Sequence, residues 1–167
     1  MEDINWANVY LLGRKSTLDS HGRIFHYKCS QNILYLNKQL FRMKIKLSSL
    51  CSFCRSADET IPHLFYECQK TKILWANLKL FFNNIPLPDL TLRSAYLGFD
   101  LLEDLLINHI HLLFRIAIYS QRNFGLCSLN YIISKISHTK VIELNLSLHN
   151  LSRQNVNRKW ARLPQLQ

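Results

Sequence analysis

The sequence is poor in residues that form turns and in acidic side chains. Its 167 residues include only four glycines and four prolines, which argues against a turn-rich all-β fold. It holds 11 Asp and Glu against 21 Lys and Arg, for a formal net charge of +10. Such an excess of positive charge favours polyanionic partners. The length suits one domain, or one domain with a basic tail.

Long apolar runs and an export signal are also missing. The most apolar stretch starts at Leu105 and is interrupted by Asn108, His109, His111 and Arg115, whereas a membrane span needs about 20 apolar residues. The opening MEDINWANVY carries acids where a secretory signal would be basic. We therefore expect an intracellular protein, in the nucleus or the cytoplasm, with no membrane partner and no disulfides.

The sequence lacks the carboxylate sets that metal-dependent polymerases and nucleases require. Its adjacent acid pairs are Glu2-Asp3, Asp58-Glu59 and Glu103-Asp104, and a chain terminus or a helix start explains each of them. No Ser-His-acid order, phosphate loop or open metal site can be assembled either. We therefore expect this chain not to be an enzyme by itself.

Positive charge is concentrated at the two ends of the chain. Residues 1–50 hold eight Lys or Arg and three Asp or Glu, residues 128–167 hold six and one, and the charges between them balance. A neutral middle between two basic arms is what a nucleic-acid clamp requires. Basic side chains that merely solvate two exposed helix faces would give the same distribution.

Apolar residues recur at helical spacing along most of the chain. After a short N-terminal segment, Asp19 or Ser20 can cap a helix, with a break near residues 32–37. The polar stretch LSSLCSFCRSADE is typical of a loop. Thr60 can cap the next helix, with Asp58 and Glu59 near its positive end.

Further helical patterns fill the second half of the sequence. The helix after Thr60 runs in two pieces to about Asn83, and the longest pattern extends from Glu103 to Asn123. Another helix follows a cap at Ser128. The sum predicts an all-α fold of five or six helices over residues 1–147, followed by a basic, loosely held tail at 148–167.

One short stretch concentrates the residues that bind metals. Residues 51–68, CSFCRSADETIPHLFYEC, contain Cys51, Cys54, His63 and Cys68. A Cys-x2-Cys turn presents two thiolates to one tetrahedral ion, and a second pair of ligands closes the site. Thiolate and imidazole ligands select zinc over magnesium or calcium, and ligand type alone leaves iron open. Because four protein ligands leave no position for water, we predict one structural Zn²⁺ rather than a catalytic one.

Three other interpretations of the cysteines compete with a metal site. A redox Cys-x-x-Cys pair belongs at a helix start in a βαβ setting, and a disulfide needs an oxidising compartment. Chance clustering in a core fits poorly, because Cys51 and Cys54 fall in polar loop sequence. Cys29 and Cys127 are interpreted as core residues, and His109 and His111 as ordinary helix histidines.

The spacing between the last two candidate ligands makes a further structural prediction. On an unbroken helix, His63 and Cys68 would lie about 140° apart around the axis. They could not then both face one ion. The spacing therefore predicts a helix break at residues 68–71, with a new helix beyond it.

Several motifs together resemble a known family. RIFHYKCSQNILYLNKQLF, LCSFC, DETIPHLFYEC and the tryptophan at Trp75 are similar to the zinc-binding C-terminal region of LINE-type (non-LTR) retrotransposon reverse transcriptases, as are INWANVYLL and NRKW. The resemblance covers nearly the whole chain. It implies zinc-ligand roles for the four cluster residues, and a module that follows the polymerase and handles template RNA or target DNA. The chain would then be the end of a larger protein or a remnant gene.

The resemblance and the charge distribution together point to RNA or DNA as the partner. The candidate nucleic-acid-binding residues are Arg14, Lys15, Arg23, Lys28, Lys38, Arg42, Lys44, Lys46, Arg158, Lys159 and Arg162. The alternative is a protein-interaction domain, in which zinc staples a helical scaffold and the helix at 103–123 docks on the polymerase portion of the parent protein. A decayed fragment without function is the third possibility.

Overall fold

The computed structural model describes residues 4–99, 104–147 and 153–163. Within these ranges the chain forms helices and no strand, so the all-α prediction is confirmed. The helices are α1 Trp6–Ser16, α2 Ser20–Ser30, α3 Asn37–Arg42, α4 Gln69–Phe81, α5 Leu92–Leu97, α6 Leu105–Gln121, α7 Leu129–Ser147 and α8 Arg153–Trp160. A π-helical turn spans His63–Glu67, and a 3₁₀ turn spans Arg122–Phe124.

The expected boundaries agree with the structure where a cap sets them. Asp19 accepts hydrogen bonds from the backbone N–H groups of His21 and Gly22 and so begins α2. Ser128 accepts from the backbone N–H of Tyr131 at the start of α7. Gly125 ends the preceding 3₁₀ turn in the left-handed conformation, with φ of 68°, which glycine adopts without a steric penalty.

The prediction of five or six helices over residues 1–147 is too low, because the described residues of that range contain seven α-helices, and α8 follows them. The N-terminal segment forms α1, which begins after Asn5 accepts a hydrogen bond from the backbone N–H of Asn8. α1 packs on α2 at close range. A Cβ atom at Gly13 would lie 2.8 Å from the His26 ring, so glycine is what allows the two helices to approach.

α6 is the central helix of the fold. It packs against α1, α2, α7, α8 and the π-helical turn, and it is buried without interruption from Leu106 to Arg115. Phe114 and Ile118 are fully buried core residues. α6 is therefore enclosed over most of its length by the protein's own helices, and the docking of the 103–123 helix on a polymerase partner stays a prediction.

The C-terminal segment is held firmly over residues 153–163. Trp160 and Leu163 are 1% and 0% exposed, and the Trp160 indole N–H donates to Glu143 Oε2 at 2.9 Å. Lys159 donates to the same carboxylate oxygen. The other oxygen, Oε1, accepts from the backbone N–H of Leu18 at 2.9 Å. The predicted loosely held tail is therefore wrong for these residues, which belong to the packed fold.

The helices of the described ranges are all too short or too polar to cross a lipid bilayer.

Candidate metal centre

The first two cysteines lie on a compact loop that its own backbone closes. The Cys51 N–H donates to Ala57 O at 2.8 Å, and the Glu59 N–H donates to Ser49 O at 2.8 Å. The Arg55 N–H donates back to Cys51 O at 3.0 Å. Arg55 itself has a positive φ of 55°, a conformation that suits a tight turn. This geometry places the Cys51 and Cys54 side chains on the same side of the loop.

The other two ligands flank the π-helical turn. Thr60 caps its start as predicted, because the His63 N–H donates to Thr60 Oγ1 at 3.2 Å. The Cys68 N–H donates to His63 O at 2.7 Å, the five-residue step that defines a π turn. Cys68 is then extended, with ψ of 123°, and α4 begins at the next residue. The predicted break at 68–71 is confirmed at Cys68.

A threonine stabilises the helix break from within the core. The Thr71 hydroxyl is fully buried and donates to the backbone carbonyl of Leu64 at 2.8 Å. A wider helical turn that stops after a few residues leaves carbonyl groups without an intrahelical donor. Thr71 satisfies one of these groups, which explains why the break is stable in an apolar environment.

The four side chains converge on one point. Their donor atoms all lie within 4.8 Å of one another. Cys51 Sγ is 4.0 Å from Cys68 Sγ, and Cys54 Sγ is 3.1 Å from His63 Nε2. Tetrahedral zinc, with bonds of roughly 2.3 Å to sulfur and 2.0 Å to nitrogen, requires ligand separations of about 3.5–3.8 Å. The residues present therefore fit one structural zinc, with no open coordination position.

Neighbouring groups stabilise Cys68 in the thiolate form that binds metal. A hydrogen bond from the Cys51 thiol lowers the pKa of Cys68 to about 5 and raises that of Cys51. The backbone N–H groups of Thr71 and Lys70 at the start of α4 also lower the pKa of Cys68, because a helix N-terminus stabilises an anion. The other ring nitrogen of His63, Nδ1, lies 3.9 Å from a Glu67 carboxylate oxygen, which is longer than a hydrogen bond.

A buried carboxylate supports the loop from behind. Glu59 is fully buried, and its Oε2 accepts from the Ser52 N–H at 2.9 Å. Its Oε1 accepts from the Asn37 N–H at 3.1 Å and from Arg122 Nε at 3.3 Å. Arg122 also donates to the backbone carbonyl of Tyr35 at 2.9 Å. Glu59 therefore joins the residue after Cys51 to the start of α3 and the end of α6.

The sequence placed Glu59 only as an acid near a helix start. Arg122 is 63 positions away in the sequence, so no local pattern connects the two residues. The one sequence feature that could have drawn attention to Glu59 is its position beside the Thr60 N-cap in a chain with few acids. The interpretation of Cys29 as a core residue agrees with its complete burial, whereas Cys127 is only partly buried.

The predicted basic residues fall into two groups. The exposed group is Arg14, Lys15, Lys28, Arg42, Lys44 and Arg158. The members of the second group are engaged by the protein. Lys38 forms an ion pair with Asp58 at 3.1 Å, and Arg162 contacts Asp104 at 2.8 Å. Arg162 is also exposed, but its guanidinium is paired with a carboxylate.

Three further candidates are fixed by hydrogen bonds. Arg23 donates to the Thr17 carbonyl at 3.0 Å, and Lys46 donates to Asn37 Oδ1 at 2.8 Å. The Lys159 side chain is only 9% exposed and pairs with Glu143. A buried, paired ammonium group has no free surface for a phosphate, so Lys159 does not belong to a nucleic-acid-binding surface.

The fold and this site define a helical protein with a closed Cys3His metal centre. Residues 3–75 match the family model described as zinc-binding in reverse transcriptase. The matched range contains all four ligands and ends at Trp75, a buried residue of α4. That family model describes a zinc-binding region. No curated protein and no solved structure matches the chain.

The match covers less of the chain than the resemblance suggested. The NRKW motif near the C-terminus and the whole of α5–α8 lie outside residues 3–75. These helices nevertheless complete the support of the metal loop, since Arg122 at the end of α6 holds Glu59. The zinc-binding region and the second half of the chain are thus parts of one packed structure.

Proposed function

We propose that the chain is a zinc-stapled nucleic-acid-binding module that handles the template RNA or target DNA of a LINE-type reverse transcriptase. The match over residues 3–75 supports the link to reverse transcriptases. The closed ligand set gives zinc a structural role, so binding depends on the surface that the metal loop helps to position. Such a module works where its nucleic acid is, in the nucleus or the cytoplasm.

The observation that carries this proposal is a charge imbalance on the surface of residues 4–62. Exposed Lys and Arg side chains occur on α1, on α2 and after α3. The acids in residues 4–62 are each engaged by the protein. Asp19 caps α2, Asp58 pairs with Lys38, and Glu59 is buried. Positive charge is therefore free to meet a phosphate backbone, while the negative charge is largely neutralised within the protein.

A salt series with single-stranded RNA tests the proposal. In the double variant Arg42→Gln/Lys44→Gln, both lost charges are exposed. We expect weaker binding and a smaller salt slope, because each phosphate contact to a single strand contributes about 0.7 to that slope. The matched control is Lys70→Gln/Lys72→Gln, which removes two exposed charges from α4. Equal affinity and slope in the wild type and both double variants would contradict the proposal.

Docking on a protein partner is the second candidate, and an exposed apolar loop favours it. Met43, Ile45 and Leu47 are 53%, 67% and 101% exposed. They alternate with basic residues in a segment joined to the 3₁₀ turn by a Lys46–Asn123 hydrogen bond of 3.5 Å. Clustered exposed aliphatic side chains are common at protein interfaces. Replacing all three with Ser should abolish capture of a polymerase portion and leave RNA binding intact.

A further inference from the structure

Three aromatic rings form an exposed row across α1 and α2. Trp6, Tyr10 and Tyr27 are 43%, 47% and 50% exposed. The ring centroids of Trp6 and Tyr10 are 6.1 Å apart with an interplanar angle of 30°. Those of Tyr10 and Tyr27 are 6.4 Å apart at 34°. Aromatic side chains stabilise a fold or a complex most when they are buried. A contiguous exposed row therefore indicates a surface that another molecule covers.

The row is held in position by the helices beneath it. Gln31 Nε2 donates to the Tyr10 hydroxyl at 2.9 Å. Between α1 and α2, His26 Nε2 lies 2.9 Å from the Val9 carbonyl oxygen. The His26 ring also packs closely against Gly13, which fixes the two helices against each other. A surface that is already ordered loses little conformational entropy when it binds. The rings are therefore arranged for contact before a partner arrives.

The charges around the row are positive. Arg14 follows Tyr10 by one helical turn and thus lies on the same face of α1. Lys28 is the residue after Tyr27 on α2, about 100° further around the helix axis, so it lies beside the row rather than in it. Both cations are exposed. The sole acid between residues 6 and 30 is Asp19, whose carboxylate caps α2. Flat apolar rings beside cations complement a strand of flat bases joined by phosphates better than they complement an aliphatic protein surface.

We propose that Trp6, Tyr10 and Tyr27 stack on the bases of single-stranded nucleic acid while Arg14 and Lys28 bind its phosphates. This inference rests on the proposed function and identifies the surface that contacts bases. Stacking requires unpaired bases, because the faces of bases within a duplex already contact one another. It depends little on sequence, since every base has a π-face.

Tryptophan fluorescence provides a direct test, because Trp6 is exposed whereas Trp75 and Trp160 are 3% and 1% exposed. The zinc-loaded full chain is titrated with a 12-nucleotide single-stranded RNA and with a blunt RNA duplex of the same length. We expect the single strand to quench the emission and the duplex to leave it nearly unchanged. Trp6→Leu should remove the quenching, while circular dichroism confirms that the variant is folded.

A variant without a ring separates stacking from charge. Tyr27→Ala should weaken single-strand binding about tenfold with an unchanged salt slope, because base stacking is lost and no phosphate contact is removed. The control is Phe124→Ala, which removes a ring that is 75% exposed and lies outside the row. It should bind like the wild type.

The possible failures are distinguishable. If the wild type binds neither RNA, the proposed function itself fails and this inference fails with it. If both RNAs bind with steep salt dependence, but Trp6 emission and the Tyr27→Ala affinity do not change, only the aromatic surface is overturned. The aromatic row would then be a candidate surface for a protein partner.

Discussion

Cys54 is the most accessible of the three cysteine ligands. Cys51 and Cys68 are fully buried, whereas Cys54 is partly exposed and accepts a hydrogen bond from the Ser56 hydroxyl at 3.1 Å. Replacing its sulfur therefore disturbs the core less than replacing either buried cysteine. This position is the best place to test metal binding without the cost of a cavity.

We predict that Cys54→Ser purifies nearly free of zinc, whereas the wild type carries about one zinc per chain, since a structural site needs all four ligands. Metal content measured on protein purified without added zinc checks this. The variant should also unfold at a lower temperature, because metal-binding energy contributes to folding energy. Cys127→Ser changes a cysteine outside the cluster and should keep its zinc. A fully folded, metal-free wild type would contradict the structural role.

Glu59→Gln tests the support behind the metal loop. The change leaves Arg122 without its buried counter-ion, so we expect the free energy of unfolding to fall by about 3 kcal/mol. Urea unfolding at saturating zinc measures it. Zinc affinity should also decrease, because the Ser52 N–H beside Cys51 loses a charged acceptor. The comparison is Asp58→Asn, because Asp58 is a partly exposed partner of Lys38. Its substitution should lower the free energy of unfolding much less. Equal losses in the two variants would argue against a special role for Glu59.

At the scale of elements, the helices that the sequence predicted are those with clear local signals. Thr60 and Ser128 cap helices as expected, and Gly125 ends the turn after α6. The five-residue step from His63 to Cys68 predicted a break, although not that a π turn would produce it. α1 was not predicted as a helix although Asn5 caps its start, and α8 was expected to be part of a loosely held tail. The burial of α8 depends on Trp160 reaching Glu143, a contact across 17 positions.

The α8 helix should contribute to the stability of the whole fold. Trp160→Ala removes a fully buried ring and its hydrogen bond to Glu143, so we expect a loss of about 3–5 kcal/mol in the free energy of unfolding. Thermal and urea unfolding of the full chain measure this change. Arg158 lies on the exposed side of the same helix. Arg158→Ala should therefore have little effect on the free energy of unfolding. If Trp160→Ala unfolds like the wild type, the segment is the loosely held tail that its composition suggests.

At the scale of the whole molecule, composition and local pattern predicted the metal ligands and the fold class. They did not predict the contacts between segments that are distant in the sequence. Cys51-x2-Cys54 is a local arrangement, and its chemistry can be read directly from spacing. Glu59 with Arg122, and Glu143 with Lys159, acquire their roles only when the chain folds back on itself. Local periodicity also cannot tell which apolar helix becomes central, and so His109 and His111 on α6 looked ordinary although both are completely buried.

The buried histidines give the molecule a predicted acid sensitivity. Burial, together with nearby Arg115, lowers the pKa of His26 to about 4. Burial, together with nearby Lys159, lowers the pKa of His109 to about 3. Burial also lowers the pKa of His111 well below its usual value, and neither of its ring nitrogens has a partner among the described residues. Its ring instead packs against Trp75 and Phe99.

The sign of the effect follows from where each state binds protons. Above pH of about 6.5 the three side chains are neutral in both the folded and the unfolded chain, and their contribution to stability is complete. As the pH falls below that value, the unfolded chain takes up protons that the folded chain excludes. Each histidine then lowers the free energy of unfolding by up to about 1.4 kcal/mol per pH unit, until the pH reaches its folded-state pKa.

His111→Phe isolates one of these contributions, because a phenyl ring fits the same aromatic surroundings and carries no proton. We expect its free energy of unfolding, measured by urea at saturating zinc between pH 6.5 and 5, to fall less steeply than that of the wild type by up to about 1.4 kcal/mol per pH unit. Acid also weakens metal binding by protonating the ligands, but this acts on both proteins and cancels in the difference. Identical slopes in His111→Phe and the wild type would mean that His111 is able to take up a proton inside the folded protein.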